Sequence, residues 1–165
     1  MSKLRRFYSP GTTYFITVVT YKRRPILLEN IDILWLAIDR AKSPAEFEII
    51  AWVINPDHFH LILNPMQNNL SKLVKRIKLS FSMNYQKRKG LKKGRVWQYR
   101  FWDHIIRSED DLNRHIDYVH YNPIKHRLTK NPLEYEHSSL GEFGEFYSRD
   151  WGTEEEIEFT GDYGE

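Results

Sequence analysis

One stretch, placed just after an Asn55-Pro56-Asp57 turn, constrains this chain more than any other: His58-Phe59-His60-Leu61-Ile62-Leu63. Successive side chains of a strand point to opposite faces. Phe59, Leu61 and Leu63 therefore share one face, and His58, His60 and Ile62 the other. A run this apolar belongs inside a sheet, where two imidazoles are held side by side on a rigid platform. A second spacing complements the first, because Tyr118 and Asn122 lie four apart in a helical pattern and so share a helix face. Strand and helix together can aim two imidazoles, a phenol and an amide into one small volume. Two imidazoles and a carbonyl oxygen suit a divalent cation, and a phenol can attack a phosphate held beside it.

The surrounding pattern says how such a strand is housed. Thr12 to Tyr21 is β-branched and aromatic on both alternating faces, as in a strand from the middle of a sheet. Ile31, Leu34, Ile38 and Ala41 recur at helical spacing, with Asn30 as the expected cap and Pro44 just beyond. Phe47 to Ile54 reads as a second strand. After the His-Phe-His strand, Leu70, Leu73, Val74, Ile77 and Phe81 form the stripe of a second helix. Gly90 and Gly94 bracket a basic loop, and Arg100 to Arg107 alternates like a fourth strand. Ser108 or Glu109 opens a last helix, which Pro123 is expected to stop. The order strand, helix, strand, strand, helix, strand is the α+β, ferredoxin-like split βαβ plan with a central antiparallel sheet. The first and third strands are central in that plan, and a C-terminal catalytic helix follows.

The chain has 165 residues and a formal charge of +3, which suits one domain. Its charges are strongly segregated. Between His58 and Trp102 there is no acidic residue, while Lys72, Lys75, Arg76, Lys78, Lys87, Arg88, Lys89, Lys92, Lys93, Arg95 and Arg100 all fall there. The reverse holds from 141 to 165, where Arg149 is the only cation among nine acidic residues. This polarity predicts a polyanion-binding middle and an acidic tail, 141–165, that need not be ordered, outside a domain at 1–140. Cysteine is absent, which excludes disulfides and thiolate metal sites. Met1 to Pro10 lacks the apolar run of a signal peptide, and no stretch of about 18 apolar residues crosses a membrane. The expectation is a cytoplasmic protein.

Three segments carry a resemblance to a known family: Pro56-Asp57-His58-Phe59-His60, Trp97 to His104 (WQYRFWDH), and His115 to His126 (HIDYVHYNPIKH). They resemble the REP-associated tyrosine transposases of the HUH single-strand transposase superfamily, in which U is a bulky apolar residue, here Phe59. The likeness runs from about Arg5 to Leu140 and leaves the acidic tail outside. It implies that His58 and His60 are metal ligands, that Asn122 is the third, and that Tyr118 is the nucleophile. It also implies Mg²⁺ or Mn²⁺ as the metal, a ferredoxin-like core, and a single-stranded or hairpin DNA substrate in a bacterial nucleoid. That substrate is typically a repetitive extragenic palindrome with a short tetranucleotide at its foot, cut through a 5′-phosphotyrosine. Tyr121 is the rival nucleophile.

Binding is expected from the basic segment: phosphates on Lys72, Lys75, Arg76, Lys78, Arg88, Arg95 and Arg100, with an arm carrying Arg5 and Arg6 reaching the DNA. Unpaired bases could stack on Trp97, Tyr99 or Trp102, and the acidic tail could compete with DNA for the basic surface. Two other classes stay open at this point. One is a non-catalytic hairpin-binding protein; the other is a nuclease that uses activated water. Either a monomer or a homodimer is compatible with one tyrosine per chain.

Overall fold

The computed structural model describes residues 11–43, 46–154 and 156–165; Arg5, Arg6 and Pro44 lie outside the described residues. Strand β1 (Tyr14–Val19) is followed by helix α1 (Ile31–Ala41), strands β2 (Glu48–Ile54) and β3 (His58–Asn64), helix α2 (Leu70–Lys89), strand β4 (Trp102–Ile105) and helix α3 (Glu109–Lys125). The strands form one sheet in the order β2-β3-β1-β4, and every neighbouring pair is antiparallel. This is the split βαβ arrangement read from the sequence, with β1 and β3 in the centre. Every residue of β3 is buried, as its unbroken apolar run requires.

Each face of the sheet has its own core. On one side Ile16, Val18, Phe59, Leu61 and Leu63 pack with Leu34, Ala37 and Ile38 of α1 and Leu73, Val74, Ile77 and Phe81 of α2. Asn69 caps α2 by accepting from the Lys72 amide, and Gly90 ends it at φ 66°, a left-handed turn that glycine makes without a Cβ penalty. On the other side Phe15, Val53 and Ile62 pack with Leu112, Ile116, Tyr118 and Val119 of α3. By strand alternation His58 and His60 belong to this second face. The basic helix α2 and the histidine pair therefore lie on opposite sides of the sheet.

Two local readings are corrected. Asn30 does not cap α1 through its side chain; its amide donates to the Ile26 carbonyl and its oxygen accepts from Arg88. Pro123 does not stop α3, which runs on to Lys125. A proline removes its own N–H, but the carbonyls of this turn still find donors: the His126 amide closes on the Asn122 carbonyl at 3.0 Å. Within the acidic segment Phe143 and Tyr163 are 1% and 6% exposed and belong to the core on the α3 face. The apolar side chains set among the acidic ones explain this: Glu142, Glu145, Glu154, Glu156 and Glu158 stay outside while Phe143, Phe159 and Tyr163 pack on the α3 face. Among the described residues no helix is long and apolar enough to cross a membrane.

Candidate active site

The site begins at the junction of β3 with the turn before it. His58 directs Nδ1 at the Asp57 carboxylate, 2.6 Å away, and is 1% exposed. Burial opposes charging of this imidazole, but hydrogen bonds to Asp57 and Glu165 overcome it and raise its pKa above the ordinary histidine value. His60 stands opposite Thr17 in the β1–β3 register, with Nδ1 2.8 Å from Thr17 Oγ1. Thr17 in turn donates to the Tyr163 carbonyl at 2.6 Å. Burial lowers His60 to about 4, against the pull of Glu165. Both Nδ1 atoms are thus engaged, and both Nε2 atoms face inward. This outer support, a carboxylate and a hydroxyl behind two imidazoles, is how metal-ligating histidines are oriented.

Helix α3 closes the site from above. Ser108 caps it by accepting from the Asp111 amide, and Glu109, Asp110 and Asp111 favour the positive end of its dipole. Asp111 also accepts from His104 Nε2 and the Arg107 amide, tying α3 to β4. Two turns along, Tyr118 is 1% exposed, and its ring lies edge-on to His60 with centroids 5.6 Å apart. Lys125 Nζ donates to the Tyr118 hydroxyl at 2.9 Å. Asn122 is fully buried and accepts from Asn55 Nδ2 while its own Nδ2 donates to Glu165 Oε1 at 2.6 Å.

Glu165 is the residue that sequence reading missed. Its Oε1 lies 2.6 Å from His60 Nε2 and 3.6 Å from His58 Nε2, and its Oε2 pairs with Lys125 at 2.8 Å and His126 at 2.9 Å. Burial works against its ionisation, yet His126, His58 and His60 hold the carboxyl far below its usual range. Tyr163 stacks on Tyr118 with centroids 3.7 Å apart and planes 9° apart. Desolvation, together with the Glu165 charge, raises the Tyr118 phenol well above its ordinary value. No sequence period links Glu165 to β3; only the tertiary fold does. Lys125, by contrast, lies two turns beyond Tyr118 on the same helix face and could have been found by counting.

The structure brings Tyr118, His58, His60 and Asn122 together. Tyr121 is directed elsewhere: its hydroxyl accepts from the Ile157 amide, and its ring packs on Trp151 and Phe159. The expected DNA contacts divide. Lys72, Lys75 and Arg100 are exposed, whereas Arg76 is tied to the Ala41 carbonyl and Asn68 and Arg88 to Asp32. Lys78 donates to the Gln98 carbonyl. Trp97, expected to meet bases, is 5% exposed and packs against Phe59 and Phe81. Among the described residues Tyr99 is 83% and Trp102 37% exposed, and the Arg95 guanidinium lies 3.4 Å over the Tyr99 ring and 4.6 Å from that of Tyr21. Beside the site, a groove of about 1150 Å³ is lined by both basic and acidic side chains, Lys125, Arg127 and Lys130 with Glu154, Glu156 and Glu158.

A split βαβ sheet carrying two inward imidazoles, faced by a tyrosine and an amide on one helix, defines a class of nucleic-acid strand-transfer enzymes. The chain belongs to the IS200-like transposase family, whose model matches residues 9–122. It is similar to the REP-associated tyrosine transposase of Escherichia coli K12, 38% identical over 143 residues, which are 85% of this chain and 83% of that one. A relative from Haemophilus influenzae is 31% identical over 175 residues, covering 98% of this chain and 99% of its own length. The fold matches a solved REP-associated tyrosine transposase bound to a REP hairpin, with a TM-score of 0.74 and 34% identity, over 100% of this chain and 94% of that one. The likeness therefore does not end near Leu140 but takes in the acidic segment. The protein is a tyrosine transposase.

Proposed function

We propose that this transposase cleaves and rejoins single-stranded DNA at the foot of a REP-like hairpin, with Tyr118 as nucleophile and a divalent cation, Mg²⁺ or Mn²⁺, held by His58, His60 and Asn122. The observation that carries the reading is the convergence of the two Nε2 atoms, the Asn122 amide and the Lys125–Tyr118 pair on one anionic carboxylate. That donor set fits the cation. Thr17, whose own hydrogen goes to the Tyr163 carbonyl, accepts from His60 Nδ1; once the Glu165 carboxylate that meets Nε2 has left, the Nε2 lone pair is free to point into the site. Without thiolates or an acidic ligand from the sheet, such a set is open to exchange rather than closed. When bound, the cation polarises the scissile phosphate and offsets charge that builds up on it.

The chain's own residues do the rest. A phosphate entering the site takes the place of the Glu165 carboxylate, an anion exchanged for an anion. Its departure leaves Lys125 paired with Tyr118 alone. The ammonium then stabilises the phenolate that attacks, opposing the burial that keeps the phenol protonated. The Tyr118 Oη–P bond forms as the P–O3′ bond breaks. The phenol proton goes to solvent and the 3′-oxygen takes one from solvent, so the products are a 5′-phosphotyrosine and a free 3′-OH. Rejoining reverses each step, with Lys125 stabilising Tyr118 as the leaving group. The covalent linkage conserves the phosphodiester, which explains a tyrosine in place of water.

The test uses labelled single-stranded DNA carrying a palindromic hairpin, incubated with wild type or Tyr118→Phe and with Mn²⁺ or EDTA, then run on a denaturing gel. The expected result is a Mn²⁺-dependent covalent band, absent from the variant. Retarded DNA on a native gel without a covalent band under any metal would favour a hairpin-binding module instead.

A further inference from the structure

Asn55 is completely buried, and its Oδ1 has no hydrogen-bond partner. An orphaned acceptor of this kind is destabilising and calls for an account. The same amide does engage through Nδ2, which lies 3.0 Å from His58 Nε2 and donates to Asn122 Oδ1. Asn122 is thereby held with its oxygen towards Asn55 and its NH₂ towards Glu165 and the imidazoles. That suits a carboxylate in the site. For a cation the amide has to face the other way, because only an oxygen can ligate one.

We infer that Asn55 is a positioning residue whose amide turns together with that of Asn122, so that one rotation aims the Asn122 oxygen between the two histidines and withdraws the Asn55 donor from His58. The inference rests on the metal reading proposed above. Its logic is hydrogen-bond parity. Turning Asn122 alone would set NH₂ against NH₂. If Asn55 turns too, the Asn122 NH₂ meets the very oxygen that otherwise has no partner. The same movement leaves His58 Nε2 free to bind. Position 55 thus controls two of the three proposed ligands while touching no metal itself. The Asn-Pro-Asp turn fixes it there, with the Asn55 amide N–H donating to the His58 carbonyl at 2.9 Å.

The experiment measures Mn²⁺ binding to the full chain by electron paramagnetic resonance, without DNA, for wild type, Asn55→Leu, Asn122→Ala and the double variant. Asn55→Leu should weaken binding by about 10- to 100-fold, and the double variant should bind no more weakly than Asn122→Ala alone. Unchanged binding in Asn55→Leu, or losses that multiply in the double variant, would overturn the inference. Should Asn55→Leu fail to fold, Asn55→Asp serves: it offers acceptors only, and its binding should exceed wild type by a factor that shrinks when Asn122 is alanine. A gain of equal size in both backgrounds is a pure charge effect and overturns the inference. Wild type that binds Mn²⁺ yet forms no covalent adduct would remove the proposed reaction and leave Asn55 standing; wild type that binds no Mn²⁺ removes both.

Discussion

Thr17 fixes the proton of His60. Its Oγ1 lies 2.8 Å from Nδ1 while its own hydrogen goes to the Tyr163 carbonyl, so once Glu165 leaves Nε2 the tautomer that Thr17 supports is the one with Nδ1 protonated. Thr17→Val keeps the shape of the side chain and removes that acceptor. It should weaken Mn²⁺ binding by about 10- to 100-fold and cost about 1–3 kcal/mol of stability through the unpaired N–H. Calorimetric titration and thermal melts would measure the two effects separately.

Lys125 should matter to chemistry and little to folding, since its side chain is 45% exposed. Lys125→Met is expected to slow covalent adduct formation by about 10²-fold, the usual size for loss of one charged donor at a reacting oxygen, with hairpin affinity and melting temperature nearly unchanged. Arginine in its place should restore part of the rate. A rate equal to wild type in single-turnover assays would remove Lys125 from the mechanism.

Deleting 141–165 would take away Phe143 and Tyr163, which are core residues, and so confounds competition with unfolding. Glu165→Gln is the cleaner change. It keeps the volume and removes the charge that meets His58, His60, His126 and Lys125. Single-stranded DNA affinity at low salt should rise, and the gain should fade as salt is added. Equal binding by wild type and variant at low salt would show that this carboxylate does not compete with DNA.

Tyr99 and Trp97 should separate by assay. Tyr99→Ala removes an exposed ring and is expected to weaken single-strand binding by about 1–3 kcal/mol without moving the melting temperature. Trp97→Ala empties a buried site under the sheet and should cost about 3–5 kcal/mol of stability. Filter binding and chemical denaturation, run on both variants, check the assignment.

Tyr135 predicts an alkaline limit to stability. Its hydroxyl donates to the Ile54 carbonyl at 2.7 Å, and burial pushes its pKa up to about 12. The folded state therefore keeps a proton that the unfolded chain gives up near pH 10. Stability from this group is intact below about 10 and falls as pH rises towards 12, by at most about 1.4 kcal/mol per pH unit. Denaturation midpoints between pH 9 and 12 should flatten in Tyr135→Phe.

What could be read in the sequence follows from periods. Alternation along β3 put His58 and His60 on one face, and helical spacing put Tyr118 beside Asn122, because both patterns are local. The split βαβ order was legible for the same reason. Long-range placement was not. Nothing local distinguishes the buried indole of Trp97 from the exposed ring of Tyr99, or says that Arg88 is spent on Asp32. Glu165 looked like one more solvated glutamate, and its role depends on Tyr163 and Phe159 docking on α3. Asn55 read as a turn residue, which it is; its second role exists only where β3 meets α3.

The sheet itself sorts labour. Lys72 and Lys75 project from the helix layer on one side, whereas Tyr118 and its companions lie beneath the other. A nucleic acid touching both would have to travel round a rim of the molecule; were Lys72 and Lys75 to grip a folded stem, its loose end would be delivered on the far side. Oligonucleotides trimmed to reach only one side would then part grip from cutting: short ends would be cut without being held well, and stems would be held without being cut.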